Sequence, residues 1–562
     1  MHRFRFLPLS LALLISCQSL ALSSPLSPDW SSTATIQPSG RSNPYGWDEI
    51  TLKDKVRAGK LHALNYPVAV TGLLIPARPA LRMLDSKPGD PLFALLKTVL
   101  SLESDFTNFE GFWDWAGLHP FPDSEDSIPF PNHVKPEYPM GVSLINRGKA
   151  QGLTLSCAAC HSAEMFGKPI LGMTNRFPRA NLFFIHGQAG MKLVSPELFA
   201  VMTKASADEK AMYASSKDKI KSVGLKRPEA LGLDTSLAQV ALSLAKRSQT
   251  PWAERNPEDA RHPRDNLLNH QVADSKPAVW WNVKYKTHWL SDGSVLSGNP
   301  VFTNFLWNEI GRGADLPELV RWLGENSSIV EELTTAVFAT EAPKWKDYLS
   351  ESAIHIERAK QGEQIFIQNC AHCHGSYQKA WSLTESEFAK EKSIHPERSI
   401  IDTIQVSYFE KTKVKNVGTD PGRREGMRAL AQALNPLAFS EQFNIVIEEQ
   451  SGYIPPPLEG IWARYPYFHN NSIPNLCALM MKPEERPVQY YSAQAIDPNR
   501  DYDQDCVGYP SQLQNSKEHL FDTRREGMSN AGHYERIFTN ADGSERYTPY
   551  QKQSLIEFLK TL

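Results

Sequence analysis

The strongest constraint on this chain is a five-residue pattern that occurs twice, Cys157-Ala158-Ala159-Cys160-His161 and Cys370-Ala371-His372-Cys373-His374. Spacing of i, i+3 and i+4 on a helical turn sets two sulfurs along one edge of a flat ring, with the next imidazole beneath its centre. That is what a c-type haem needs: two thiols to add across its vinyl groups and a histidine to ligate iron. With 7 cysteines and 16 histidines in 562 residues, random placement gives one match with odds of roughly a few in a thousand, and two with odds of roughly a few in a million. Zinc is the rival, but zinc knuckles bring their second ligand pair within a few tens of residues, and these pairs stand about 210 apart. A redox dithiol has no need of the histidine. The spacing predicts two covalently bound c-type haems.

The N-terminus points to export. His2, Arg3 and Arg5 precede the apolar run Phe6–Ile15, too short to span a bilayer, and small residues follow; this reads as a signal peptide over 1–23. Leu14-Ile15-Ser16-Cys17 resembles a lipobox that would leave Cys17 acylated, whereas Ala21-Leu22-Ser23 suits an ordinary signal peptidase. Either reading removes Cys17 from the thiol count. Four of the remaining six cysteines sit in the repeated pattern, which leaves Cys477 and Cys506 free to form a disulfide in an oxidising compartment. Periplasm or attachment to the outer membrane is the expected location, with the membrane engaged only through a lipidated Cys17. The 60 basic against 63 acidic side chains, net charge −3, give no reason to expect nucleic acid as partner.

Hydrophobic residues at 41% and charged ones at 22% fit a globular chain too long for one core. The segment 24–140 reads as a linker and accessory region, 141–345 as a first cytochrome c-type haem domain and 346–562 as a second. Ile356–Cys370 is an amphipathic helix, with Ala359, Gly362 and Phe366 on one stripe, that runs straight into the second motif. Thr548–Leu562 carries Leu555, Phe558, Leu559 and Leu562 at helical period. Long alternating strand patterns are scarce, so the fold class expected is mainly α with long loops.

The far side of each iron separates electron transfer from chemistry. For the second motif His533, in Gly527-Met528-Ser529-Asn530-Ala531-Gly532-His533, is the leading candidate and Met528 its rival. For the first, His186 and His288 are candidates and neither stands out. Trp280 and Trp281 lie between the motifs, where an indole can relay electrons or simply pack in the core.

These residues resemble the dihaem cytochrome c peroxidase/MauG superfamily. Trp280–Lys286 followed by Trp289-Leu290-Ser291-Asp292-Gly293 is similar to a family segment that ends in an aromatic-x-Asp-Gly turn. Leu458–Leu476 and the ending Gly527–His533 with Leu555–Leu562 resemble its rubber-oxygenase-like branch. Many members follow the Asp-Gly turn with Arg, where this chain has Ser294.

The resemblance implies that His374 and His533 flank one iron and exchange electrons, that the His161 haem is high-spin or oxygen-binding, and that Trp281 couples the two. A peroxidase- or oxygenase-like oxidoreductase follows, with peroxide or dioxygen as co-substrate, a small cytochrome or cupredoxin as redox partner, and Trp281 and His288 as candidate catalytic residues. The rival is a pure electron carrier with both irons six-coordinate; a haem-based sensor is a third reading.

Overall fold

The computed structural model describes residues 28–87, 89–93, 109–512 and 518–562. The expected signal peptide and Cys17 lie outside the described residues. Helix takes 41% and strand 11%, so the mainly helical expectation holds only coarsely, and several small sheets accompany the helices.

The helix that leads into the second motif forms over Ile356–Asn369, with Cys370 as its C-cap. The terminal helix forms over Pro549–Lys560, started by a capping box in which the Thr548 side chain meets the Gln551 backbone and the Gln551 side chain returns to Thr548. These helices cross at Gly362, where a built Cβ would lie 1.9 Å from the Ser554 carbonyl oxygen. Beside the crossing the Phe366 and Phe558 rings stand 5.2 Å apart. A small residue is obligatory there because two backbones touch.

The accessory region docks by the same device. Its helix Glu49–Leu64, capped by Asp48, meets Ser327–Ala339 at Gly59, whose Cβ would lie 2.0 Å from Glu332 O. Lys55 and His62 both reach the Glu332 carboxylate at 2.9 Å. Strands Ile75–Pro76, Ala150–Leu155 and Val142–Arg147 form an antiparallel sheet with Ala150–Leu155 in the middle. Among the described residues three two-stranded pairs complete the strand content: Ser162–Met165 with Lys168–Leu171, Ser376–Lys379 with Thr403–Ser407, and Gln489–Ser492 with His519–Asp522.

Two large apolar cores result, and they interleave in sequence. The first gathers Ala63, Val240, Leu306 and Phe338 but also Met427, Leu430 and Ile447 from the C-terminal half. The second gathers Phe366, Trp462 and Phe558 but also Ala163, Met165, Trp281 and Tyr285. Each core thus draws residues from both sides of position 345. Among the described residues no helix is long and apolar enough to cross a membrane.

Candidate functional site: one cavity joining both motifs

A single cavity of about 510 Å³ is walled by both Cys-x-x-Cys-His motifs. The second motif takes the helical geometry expected, on the turn Ala371–His374 that follows the long helix. The first differs: it sits on a short 3-10 turn, Cys157–Ala159, between strands Ala150–Leu155 and Ser162–Met165. A strand and not a helix leads into it, and Ser156 N donates to Gly141 O at 2.8 Å.

Both histidines are oriented through Nδ1. His161 Nδ1 lies 2.9 Å from the Ala278 carbonyl and His374 Nδ1 2.7 Å from the Pro456 carbonyl. A carbonyl only accepts, so Nδ1 carries the proton and Nε2 keeps its lone pair for a metal. Pro456 belongs to the run Pro455-Pro456-Pro457, whose ring-locked φ angles fix the direction of three successive carbonyls. These accept from Tyr408 Oη, His374 and Arg464 Nη1 in turn. Burial lowers both imidazoles to about 4, which leaves them neutral and able to bind metal.

His533 also walls the cavity, whereas Met528 is buried and does not appear in the walls. Gly532 brings the loop close: a Cβ there would lie 2.3 Å from Gly418 C, and this proximity lets His533 N donate to Val417 O at 2.7 Å. The His533 and His374 ring centres stand 6.2 Å apart. A metal–imidazole bond of about 2.0 Å and about 1.1 Å from nitrogen to ring centre place two imidazoles on opposite faces of one iron with centres about 6.2 Å apart. The observed separation therefore fits an iron between them.

The surroundings of the first motif are different in kind. The Trp280 ring stands 5.8 Å from that of His161. The cavity wall also carries Asp234, Thr235, Gln239, Asn304 and Asn308, together with a further imidazole, His469, and Cys160 Sγ lies 4.0 Å from the Asp234 carbonyl. Asp234 is buried and accepts from the Asn181 backbone N–H; burial pushes its carboxyl up to about 7.

The four motif thiols are free, and a haem would bring carboxylates of its own. The walls suit them, since Lys276, Lys286, Arg312, Arg423 and Arg464 face the cavity against the one acid Asp234. Arg423 is buried with Nη1 unpartnered. Among the described residues no group of three or more His, Cys, Asp or Glu is arranged to hold a bare metal ion.

Of the other sequence candidates, Trp281 is 0% exposed and donates from Nε1 to Glu459 O at 2.9 Å. It packs in the second core while Trp280 packs in the first, so the tandem straddles both. His288 does not face the cavity; its backbone N–H donates to Thr412 Oγ1 at 3.2 Å, behind the Asp292 turn. His186 lies on the helix Ala180–Leu193, its ring 6.0 Å from Trp115, and is likewise absent from the walls. Cys477 and Cys506 are joined by a disulfide. Sequence reasoning missed Asp234, Lys276 and Arg464. Arg464 lies inside the quoted 458–476 stretch, whereas Asp234 and Lys276 carry no local signal.

Residues 452–491 match a family model described as RoxA-like, cytochrome c-like. That stretch contains the proline run and the whole of Leu458–Leu476. A cytochrome c-like domain is thus present, and c-type haem is the cofactor such a domain implies. Among curated proteins the chain is similar to uncharacterized protein y4iJ of Sinorhizobium fredii (strain NBRC 101917 / NGR234), 30% identical over 255 residues covering 39% of this chain and 41% of that protein. It is also similar to uncharacterized protein y4iM of the same organism, 32% identical over 235 residues covering 37% and 49%. The chain spans less than half the length of these curated relatives.

Proposed function

We propose that the chain is an exported dihaem c-type cytochrome and an oxidoreductase of peroxidase- or oxygenase-like type, with one site for electron transfer and one for chemistry at an open iron face. The carrying observation is the asymmetry of the cavity's two ends. At the second motif two imidazoles stand at the separation one iron requires. At the first, the ring beside His161 is that of Trp280, 5.8 Å away, and Cys160 Sγ lies 4.0 Å from the Asp234 carbonyl.

Cys157, Cys160 and His161 would hold one haem; Cys370, Cys373, His374 and His533 would hold the other. When bound, these groups supply one-electron chemistry and, where an iron face is open, a position for peroxide or dioxygen. The chain's own residues do the rest. The Ala278 and Pro456 carbonyls fix which nitrogen of each imidazole carries its proton. Asp234 holds a proton close to neutral pH beside Cys160. The Trp280–Trp281 tandem bridges the cores and is the relay candidate. A small cytochrome or cupredoxin is the expected electron partner. The Cys477–Cys506 disulfide supports an oxidising compartment, in keeping with export to the periplasm or the outer membrane.

EPR of the oxidised and half-reduced protein is the test. A high-spin ferric component is expected, and low-spin signals alone in both states would defeat the enzymatic reading in favour of a pure electron carrier. His533→Ala is expected to convert a second, low-spin component to high spin. An unchanged spectrum would remove His533 from the ligand set.

A further inference from the structure

The segment after strand Thr403–Ser407 alternates inward and outward residues. Thr412 turns inward: its Oγ1 accepts from Thr287 N at 2.7 Å and from His288 N at 3.2 Å, and its own N–H donates to Thr287 Oγ1 at 3.1 Å. Val414 turns inward as well, with its Cγ2 3.2 Å from a Cβ built at Gly293. Period-two alternation then sends Lys411, Lys413 and Lys415 outward, and all three are exposed. The segment is anchored at its far end by paired backbone bonds between Lys415 and Tyr453, at 2.8 and 2.9 Å. Lys413 Nζ lies 3.5 Å from the Phe409 ring centre, which restrains its ammonium.

This strip borders the second motif. Lys415 and His372 are exposed wall residues of the cavity, on the side where Cys373 lies. Two residues beyond Lys415, Val417 O accepts from His533 N at 2.7 Å, which ties the strip to the second site. Among the described residues no ion pair joins any of the three lysines to a carboxylate, and the acid on the strip itself is the preceding, exposed Glu410. The chain as a whole carries net charge −3. An unneutralised row of three cations at one mouth of the cavity therefore stands out against its surroundings, and it would draw an anion there within a Debye length of about 10 Å.

We infer that Lys411, Lys413 and Lys415 form the docking face for an acidic one-electron carrier protein, which exchanges electrons at the Cys373 edge of the second site. The inference rests on the proposed electron-transfer role of that site and adds the face used and the sign of the partner's charge. In each encounter one electron would pass from the partner to the haem that Cys370, Cys373, His374 and His533 would hold; no proton or bond changes place. Steering of this kind raises the association rate more than the final affinity.

The test uses the full haem-loaded protein and two small oxidants of opposite charge, hexacyanoferrate(III) and tris(phenanthroline)cobalt(III). Reoxidation of the reduced protein is followed by stopped flow from ~10 to ~300 mM salt. The anionic reagent is expected to slow about tenfold over that range and the cationic one not to slow. Lys411→Glu with Lys413→Glu and Lys415→Glu is expected to reverse the two. Equilibrium dialysis of hexacyanochromate(III), an anion used here without redox chemistry, gives a second readout, with binding expected in the parent and lost in the triple variant. Equal salt dependence for both oxidants, or unchanged anion binding in the variant, overturns the docking face. Failure of both oxidants to reoxidise any low-spin haem would instead overturn the electron-transfer role itself.

Discussion

Gly362→Ala is the sharpest perturbation of the frame that holds the second motif. The added methyl would lie 1.9 Å from Ser554 O, 2.5 Å from Ser554 C and 3.0 Å from Leu555 Cα. All three are backbone atoms of the terminal helix, so no rotamer change relieves the clash. Ordinary contact begins near 3.4 Å, and the helices must part by about 1.5 Å. Separation of that size loosens Ala359, Phe366, Leu555 and Phe558, all buried at the crossing, and a gap of that width forfeits much of their dispersion energy. Overpacking of this kind costs about 3 kcal/mol, against which alanine's better helix propensity returns only about 1 kcal/mol. Gly362 lies two helical turns before Cys370, about 12 Å along the axis, so the displacement reaches the haem turn. Thermal unfolding of the variant should come several degrees earlier, with a lower yield of doubly haem-loaded protein by intact mass. Gly324→Ala is the control, because a Cβ there meets nothing within 4 Å; it should stabilise by about 0.5–1 kcal/mol. If Gly362→Ala melts within a degree of the parent with full haem content, the reasoning from backbone contact is wrong.

Replacing Cys477 and Cys506 by serine opens a loop with sequence separation 29. The chain-entropy estimate gives a loss of ~3.6 kcal/mol, read from urea midpoints, and a loss below ~1 kcal/mol would show that the crosslink does not constrain the unfolded chain. The folded chain holds the Asp234 proton up to about pH 7, whereas the ordinary carboxyl value is 3.8. The unfolded state thus binds fewer protons between those values, and stability falls as pH rises through that window, by up to about 1.4 kcal/mol per unit. Asp234→Asn should flatten that part of the profile, and identical slopes from urea melts at pH 4.5 and 7 would rule the group out. Trp281→Phe keeps the aromatic body but deprives Glu459 O of its donor, at a cost of about 1–3 kcal/mol; an unchanged melting curve would show that water or another donor replaces it.

Local signals carried the parts of this fold that are local. The helix before the second motif and the terminal helix appear within a residue or two of their expected spans, because apolar period and a Thr548–Gln551 capping box are properties of neighbouring residues. The motifs were legible for the same reason. What could not be read was anything set by distant segments. Met427 and Leu430 join the first core and Trp281 the second, since a helix stripe advertises that it is apolar and not which partner it meets. Of two adjacent tryptophans, the one that faces His161 is Trp280, and residue type alone does not distinguish them.

The Asp292 turn shows how such long-range choices compensate a local departure. Asp292 is wholly buried and its carboxylate accepts from Ser294 N at 2.9 Å, leaving a charge that burial makes expensive unless a cation meets it. Ser294, the residue after the turn, cannot supply one, and its own Oγ is unpartnered. The cation comes from Arg423, on the helix Gly422–Leu434, with Nε 3.2 Å from Asp292 Oδ2. That same arginine is a wall residue of the cavity, and its Nη1 is buried without a partner. Supplied by a helix of the first core, this cation ties the Asp292 turn to that core and bears on the cavity that joins both motifs.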